Sequence, residues 1–141
     1  MKPYAAYAIG AALVDTEIQV TDAELATMNV EKGMMTLVDQ ARQRDILTTL
    51  SDHLIQANHA SGGSAGNSMI ATAMMGAPTY MSCKVAEDAD GDIYLADLEA
   101  SGVAHGLTER STDGVTGKCI VLITPDAERS LNTHLGISET L

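Results

Sequence analysis

The chain has 141 residues, of which 45% are hydrophobic, and 8 basic against 19 acidic residues give it a net charge of −11. That hydrophobic content is ordinary for a folded domain and excludes a disordered chain. The acidic excess argues against a nucleic acid partner, and no apolar run approaches the ~20 residues of a membrane-spanning helix. We therefore expect one domain, or part of a larger one, without a membrane partner. The start of the chain, with Asp15 close behind it, predicts a mature cytoplasmic protein rather than a signal peptide.

The two cysteines, Cys83 and Cys119, lie far apart and neither belongs to a CxxC motif. The four histidines do not supply the spacing of a zinc site. The sequence therefore predicts two reduced, mostly buried thiols and no metal site.

Local patterns predict the first elements of the chain. The nearly continuous apolar run Tyr4–Val14 is typical of one strand that is covered on both faces, as in a parallel sheet. Ile18–Val20 predicts a second, short strand. Thr21, followed three residues later by Glu24, predicts a capping box at the start of a short helix. Met34–Val38 predicts another strand.

The middle of the chain alternates between helix and strand signals. Asp39 predicts the N-cap of a helix whose apolar side carries four aliphatic residues, namely Ile46, Leu47, Leu50 and Leu54. The glycine-dense stretch Gly62–Asn67 leads into an apolar helical run over Met69–Met75. Thr79–Val85 predicts a buried strand. Such alternation favours an α/β fold with a mostly parallel sheet.

A cluster of acidic residues over Asp88–Asp92 suggests a calcium loop. Placing Gly91 at the sixth position of an EF-hand loop puts Ala86 at the first, where a ligand is required. We therefore interpret Asp90 as the N-cap of a helix that continues to about Ser101.

The last third predicts a β-hairpin. Lys118–Thr124 is typical of a strand, Pro125–Glu128 of a turn, and Arg129–Leu135 alternates like a half-exposed strand. We expect the charges of Lys118 and Arg129 to be solvated. Together with the short strands at 18–20 and 34–38, the hairpin predicts a small second sheet.

Two segments have the chemistry of a polyol site. A carboxylate such as Asp15, expected at the end of the first strand, can accept hydrogen bonds from both hydroxyls of a vicinal diol. Glycines at a helix start let the backbone approach a ligand, and Asn67 offers both a donor and an acceptor. No Lys follows the glycines, which excludes a Walker A loop. Two structural explanations stay open, in which Asp15 caps local backbone and Gly62–Asn67 forms a tight corner.

Five segments resemble, in order, motifs of the PfkB (ribokinase-like) sugar and nucleoside kinases, most closely the adenosine-kinase-like branch. They are Gly10–Asp15, Gly33–Asp39, Gly62–Ser68, Lys84–Gly91 and the hairpin Thr116–Thr133. The resemblance covers nearly the whole chain. It implies a partial ribokinase-like fold, in which a mostly parallel sheet with helices carries a small β-sheet lid.

The same resemblance implies transfer of the ATP γ-phosphate to a hydroxyl of a sugar or nucleoside. The substrate would then bind to five residues under the lid, namely Asp15, Gly62, Gly63, Ser64 and Asn67. We expect the α/β core at about 1–15 and 39–105, and the lid strands at about 16–38 and 115–135. The complete enzyme would use ATP and Mg²⁺.

The chain departs from the family pattern in two respects. Ala11 stands where the family often has Asn, and the second family signature, a Gly-Ala-Gly-Asp run that supplies the base and the anion hole, is absent from these residues. We therefore expect the N-terminal, substrate-binding half of a kinase, with no catalytic residue, bound cofactor or activity of its own. The alternative is a free-standing sugar-binding, nucleoside-binding or regulatory module. Half a sheet leaves apolar surface uncovered, so we expect a homo-oligomer through the lid strands or the exposed sheet face.

Overall fold

The computed structural model of the chain describes residues 3–107 and 110–141. The described residues pack into two compact units. Unit one comprises Met1–Val14, Ala60–Gly117 and Leu135–Leu141, and unit two comprises Asp15–His59 and Lys118–His134. The first two residues of the expected chain start lie outside the described ranges.

The elements alternate between strands and helices along the chain. The strands are β1 (Ala6–Ile9), β2 (Leu13–Gln19), β3 (Met35–Leu37), β4 (Asn58–Gly62), β5 (Thr79–Ser82), β6 (Ala104–His105), β7 (Gly117–Ile123) and β8 (Arg129–His134). The α-helices are α1 (Asp22–Thr27), α2 (Gln40–Thr49), α3 (Ser64–Met74) and α4 (Ala89–Ala100). Short 3₁₀ helices cover Ser51–Gln56 and Gly136–Thr140. None of the helices in the described ranges is both long and apolar enough to span a bilayer.

Unit one is built on a parallel sheet with the strand order β1-β5-β6. Helix α3 packs against β1 and β5, and α4 packs against β6. Ala6 and Ala8 of β1 face a buried cluster that includes Met81 of β5, Met69 of α3 and Tyr94 of α4. One face of the sheet therefore forms the core of this unit.

A hydrogen-bond cluster around Asp88 connects the loops of unit one. The Asp88 carboxylate accepts bonds from the amide of Gly91 (2.8 Å) and from both the amide (2.8 Å) and the hydroxyl (2.6 Å) of Thr116. Arg110 donates to the carbonyl oxygens of Ala86 and Asp88. Burial alone would raise the pKa of Asp88, but the three donors and the charge of Arg110 together lower it.

Unit two contains most of a five-stranded sheet with the order β3-β8-β7-β2-β4. Strands β7 and β8 form an antiparallel hairpin, while β3 runs parallel to β8. One face of this sheet packs on α1 and α2 through a buried apolar cluster. The cluster consists of Ile18, Val20, Leu25, Met28, Ile46, Leu50, Ile120 and Leu122.

Several local predictions are confirmed. The fold is α/β with a parallel sheet and helices, and a second sheet is present, although its five strands outnumber the three of the parallel sheet. The Thr21 hydroxyl accepts from the Glu24 amide at 3.2 Å while the Glu24 carboxylate accepts from the Thr21 amide at 2.7 Å, so the capping box is present. Asp39 caps α2 through the Arg42 amide. The hairpin forms as predicted, and Cys83 and Cys119 are buried free thiols.

The prediction of one strand over Tyr4–Val14 is wrong. The chain forms β1, leaves the first sheet at Gly10, and enters the second sheet as β2. Ile18 and Gln19 are the last residues of β2 rather than part of a separate strand, and Val20 follows directly after it. A Cβ at Gly10 would lie 2.6 Å from the Ala65 Cβ, so tertiary packing accounts for the small residue there. An unbroken apolar run carries no signal for where one strand ends and the next begins.

Three further boundaries differ from the prediction. Asp88, not Asp90, caps α4, because Asp88 is the residue that Thr116 and Gly91 hydrogen-bond. Strand β4 was not predicted, since its sequence over Asn58–Gly62 is polar and glycine-ended. Residues 39–59, which the sequence places in the α/β core, pack within unit two.

The Tyr94 hydroxyl provides a stability test. It is buried without a hydrogen-bond partner among the described residues, and it lies 2.5 Å from where a Cβ on Gly66 would stand. Removing an unpaired buried hydroxyl removes a desolvation cost of about 1–3 kcal/mol. We expect Tyr94→Phe to leave the free energy of unfolding unchanged or raise it, and Gly66→Ala to lower it.

In the Tyr94→Phe background, the new Cβ would meet the ring at 3.5 Å, an ordinary contact. Gly66→Ala should therefore become neutral or stabilising there, by up to about 1 kcal/mol from helix propensity. Urea unfolding of the four proteins measures this coupling. Equal effects of Gly66→Ala in both backgrounds would contradict the packing described.

Asp88 gives a pH-dependent prediction. Its pKa is lowered on folding, so the ionised form stabilises the fold above the ordinary value of 3.8, and this contribution is lost as the pH falls below it. Asp88→Asn should cost about 1.5–3 kcal/mol at pH 7, the range for hydrogen bonds to a charged group. Unfolding curves from pH 7 to pH 3 should show this difference shrinking. Asp113→Asn, at an exposed position, is the control.

Candidate functional site

Strand β2 presents two carboxylates on the face opposite its apolar core. Thr16 and Ile18 are buried on one face, and Asp15 and Glu17 alternate with them as half-buried residues on the other. The Thr16 hydroxyl lies 3.2 Å from His59 Nδ1, at the start of β4. The two-residue period of the strand therefore directs the carboxylates away from the core.

The electrostatics around Asp15 are set within unit two. Burial raises the pKa of Asp15, the positive charge of Arg129 opposes this rise, and the negative charge of Glu17 adds to it. Arg129 Nη2 also lies 2.5 Å from Glu17 Oε1 and forms an ion pair with it. The half-buried carboxylate of Asp15 therefore lies near Arg129, whose guanidinium is already paired with Glu17.

Apolar and small polar side chains continue the same face across β7 and β8. Ile120 and Leu122 face the core, so Cys119 and Val121 lie on the side of Asp15. The Thr133 hydroxyl donates to Cys119 Sγ at 3.2 Å. Burial raises the pKa of Cys119, and the charge of Asp15 adds to this effect. A thiol held neutral in this way acts as apolar surface.

The face ends at the edge strand β3. Met35 is paired with Leu131 and Leu37 with Thr133, and parallel neighbours in register share a face. Met35 and Leu37 are 59% and 61% exposed, which is high for large apolar side chains. Unit two thus carries a carboxylate at one side of an apolar strip that is open at its edge.

The glycine-rich turn belongs to unit one. Gly62 ends β4 and Gly63 is the N-cap of α3, with φ of +87°. A Cβ at Gly63 would lie 2.8 Å from the carbonyl oxygen of Ala11, so no side chain fits there. Ser64 and Asn67 lie in the first turn of the helix and are exposed.

The N-terminus of α3 has unused hydrogen-bonding capacity. The Asn67 amide makes the first helical bond, to the Gly63 carbonyl at 3.0 Å, and no side chain caps the helix. The amides that precede Asn67 in the turn are therefore without an intrahelical acceptor. Asp97 fixes the approach to the turn by accepting from the Ser61 amide at 2.8 Å.

The predicted site residues fall into two groups. Gly62, Gly63, Ser64 and Asn67 lie together in one strand-to-helix turn of unit one. Asp15 belongs to unit two and lies inside β2, not at the end of a strand as expected, because β2 continues to Gln19. The convergence of Asp15 and Asn67 on one ligand stays a prediction.

Sequence reasoning missed Arg129. Its charge is half exposed, in agreement with the expected solvated hairpin charge, and its pairing with Glu17 also joins β8 to β2 across 112 positions of the sequence. The sequence does contain a signal for Arg129. Side chains alternate between the two faces of a strand, so Arg129, the first residue of β8, lies on the same face as Thr133. Among the described residues, no group of three or more His, Cys, Asp or Glu side chains could hold a metal ion.

Comparison with known proteins identifies relatives of the whole chain. The family model described as pfkB family carbohydrate kinase matches residues 30–141. A probable sugar kinase from Rhizobium etli is similar, with 32% identity and a TM-score of 0.87 over 100% of this chain and 42% of its own. Adenosine kinase from Sinorhizobium meliloti is also similar, with 32% identity and a TM-score of 0.87 over 98% of this chain and 41% of its own.

A more distant solved structure agrees with these two. Adenosine kinase from Trypanosoma brucei brucei has 26% identity and a TM-score of 0.81 over 100% of this chain and 43% of its own. The chain therefore spans less than half the length of each of these solved kinases.

The raised pKa of Asp15 generates a stability prediction. Because the folded pKa lies above the ordinary value of 3.8, ionised Asp15 destabilises the unliganded chain at neutral pH, and this cost disappears as the pH falls below 3.8. We expect Asp15→Asn to raise the Tm at pH 7 and to leave it unchanged near pH 3. Asp45→Asn, at an exposed position of α2, is the matched control and should show neither effect. A lower Tm for Asp15→Asn at pH 7 would show that the carboxylate has a structural role instead.

Proposed function

Because the chain belongs to the pfkB family of carbohydrate kinases, we propose that it is the substrate-binding part of an ATP-dependent kinase acting on a hydroxyl group of a sugar or nucleoside. The observation that carries the proposal is the half-buried carboxylate of Asp15 on the sheet face opposite the apolar core of unit two. A desolvated carboxylate of this kind is costly for the unliganded fold but binds hydroxyl groups strongly.

Asp15 is the residue to which we assign the substrate diol. Its two oxygens can each accept one hydroxyl hydrogen, which fixes both the position and the orientation of a sugar ring. Arg129 is already paired with Glu17, so it stabilises the ionised form of Asp15 without occupying its oxygens. The site is therefore suited to a neutral polyol.

The glycine turn supplies the second part of the proposed site. Gly62 and Gly63 lead directly into α3, and the uncapped amides of this helix are donors for hydroxyl oxygens. Ser64 and Asn67 add exposed side-chain donors and acceptors. Ionised Asp15 can only accept hydrogen bonds, so these residues would supply the donors for the oxygen atoms of the substrate.

The apolar strip beside Asp15 favours a nucleoside over a simple sugar. Leu131 and Leu37 lie on the face that carries Asp15, and a nucleobase has the flat apolar surface that fits such side chains. Two of the similar structures are adenosine kinases. Sugars stay within the proposal, since one similar structure is a probable sugar kinase.

We place the chemical step outside these residues. In the complete enzyme ATP would supply the phosphoryl group and Mg²⁺ would neutralise its charge. The described residues contain no group of three metal-ligating side chains, so we assign none of them to Mg²⁺ or ATP. The expected role of this chain is to bind and orient the hydroxyl substrate, and we expect the chain alone to be inactive.

We also propose a cytoplasmic location and no nucleic acid partner. The two buried free thiols and the net charge of −11 support these two points. Self-association through the edge of β3 is a further part of the proposal. Met34, Met35 and Leu37 are at least half exposed there, on a strand with one unpaired edge.

Ligand binding tests the proposed site directly. The Tm of the chain is measured with adenosine, ribose and fructose in separate titrations. At about 100 times Kd, a ligand of the folded state adds about 2.7 kcal/mol of apparent stability. We expect adenosine to raise the Tm, and Asp15→Asn to weaken its binding at least about tenfold, as the loss of a hydrogen bond to a charged group requires. Asp45→Asn should bind as the unmodified chain does.

A phosphoryl-transfer assay separates binding from catalysis. We expect no turnover of ATP with adenosine by the isolated chain. Turnover by the chain would contradict the placement of the chemical step, and failure of all three ligands to bind would contradict the proposed site. Binding without turnover in a complete gene product would favour a binding or regulatory module.

A further inference from the structure

The methionines of the described residues divide into two groups by exposure. Met28, Met69 and Met81 are buried, with 5%, 7% and 0% of their surface exposed. The pairs Met34–Met35 and Met74–Met75 are at least half exposed at every position, with values from 50% to 79%. A peroxide reaches a thioether only where solvent does, so these two pairs are where peroxide can oxidise methionine in the described ranges.

The thiols of the chain do not compete for a peroxide. Cys83 and Cys119 are both buried. Burial raises the pKa of Cys83 to about 11 and also raises the pKa of Cys119. Because the thiolate is the form that attacks a peroxide, both thiols are poor targets at neutral pH. A thioether has no proton to lose, so the exposed methionines react first.

Met35 lies on the face of unit two that carries Asp15. It pairs in register with Leu131 in a parallel ladder, and parallel neighbours in register share a face. Leu131 follows Arg129 by two positions on β8, so it lies on the same face as Arg129, whose charge acts on Asp15. The thioether of Met35 is therefore part of the apolar strip proposed for the nucleobase.

Met34 is an exposed neighbour on the other face. Its carbonyl oxygen accepts a hydrogen bond from the Leu131 amide at 2.8 Å, which continues the ladder of β3 to this position. Successive side chains of a strand point to opposite faces, so Met34 points away from the face of Met35. The two thioethers meet the same peroxide, but only one of them lies beside the proposed ligand.

Met74 and Met75 lie at the far end of α3 from the glycine turn. Ser64 and Met74 are the first and last of 11 helical residues, so they are about 15 Å apart along the helix axis. Oxidation of this pair therefore leaves the glycine turn unchanged, and the pair is a control for oxidation outside the proposed site.

We propose that Met35 is a reversible oxidation site that controls substrate binding, with hydrogen peroxide as the oxidant. The proposal rests on the proposed function for the nature of the ligand. The sulfur lone pair attacks one peroxide oxygen, the O–O bond breaks, and the released hydroxide takes up a proton and leaves as water. Sulfur loses two electrons and the peroxide gains them. A thiol-dependent reductase returns two electrons, removes the oxygen as water and restores the thioether.

The sulfoxide makes one point of the apolar strip polar. Its oxygen is a hydrogen-bond acceptor that water satisfies while Met35 is exposed. A nucleobase that lies over it removes that water, and the desolvation of an unpaired polar group opposes binding. Leu37 and Leu131 stay apolar, so the expected effect is a weaker affinity rather than a lost site.

The experiment measures adenosine binding to the 141-residue chain by titration calorimetry. Each protein is measured before and after treatment with hydrogen peroxide, which is then removed with catalase, and mass spectrometry locates and quantifies the oxidised methionines. Three variants are compared with the unmodified chain, namely Met35→Leu, Met34→Leu, and Met74→Leu with Met75→Leu. Leucine has nearly the volume of methionine and carries no sulfur to oxidise.

We expect peroxide to weaken adenosine binding by the unmodified chain about fourfold or more, the effect of losing roughly one buried methylene group. Met34→Leu and the double variant of α3 should lose affinity to the same extent. Met35→Leu should keep the affinity that it has before treatment. A methionine sulfoxide reductase with dithiothreitol should restore the unmodified chain. An equal loss in Met35→Leu, or a loss that Met34→Leu prevents, would overturn the proposal.

Protection by the ligand gives a second readout. Saturating adenosine should slow the oxidation of Met35 and leave that of Met34, Met74 and Met75 unchanged. Protection of Met34 and Met35 together that grows with chain concentration and not with adenosine would show that a second copy covers β3, and it would overturn the proposal. So would a Met35 that stays unoxidised while Met74 and Met75 react.

The outcomes also separate this proposal from the proposed function. If the untreated chain binds none of adenosine, ribose and fructose, both fail together. If the untreated chain binds adenosine and full oxidation of Met35 leaves the affinity unchanged, the oxidation site is rejected and the proposed function stands.

Discussion

Close backbone packing around the segment between β1 and β2 is the constraint on which unit one depends. A Cβ at Gly63 would lie 2.8 Å from the Ala11 carbonyl oxygen, and one at Gly117 would lie 2.7 Å from that of Ala12. The Ala12 amide, in turn, donates to the Ser138 hydroxyl at 3.1 Å. The glycine turn, the start of β7 and the final 3₁₀ helix therefore all contact one short segment, with no room for larger side chains. β2 begins directly after this segment, at Leu13.

Local chemistry in the sequence was enough to predict the elements that depend on near neighbours. The capping box of Thr21 and Glu24 closes over three residues, and the β7–β8 hairpin closes over a five-residue loop. The α/β class followed from the alternation of such elements. The buried state of Cys83 and Cys119 followed from composition, because isolated thiols in an acidic globular chain pack as small apolar residues.

What the sequence could not show is decided by contacts between distant positions. Asp88 rather than Asp90 caps α4 because Thr116, 28 residues away, hydrogen-bonds the first of these two similar residues. Arg129 belongs near Asp15 because Glu17, 112 residues away, pairs with it. The glycine turn could be predicted because glycines just before a helix are a local sequence pattern. The position of Asp15 inside β2 could not, because it depends on how far the strand continues after Asp15.

Two features of the chain are unfavourable when it stands alone. Burial of the Asp15 carboxylate costs free energy that a hydroxyl-bearing ligand can recover by donating hydrogen bonds. Exposure of Tyr7 and Ile9 costs free energy because it keeps large apolar side chains in water. Folded proteins keep such unfavourable features chiefly where function or assembly uses them. The carboxylate lies in unit two and the exposed Tyr7 and Ile9 belong to the parallel sheet of unit one, so each unit carries one such feature.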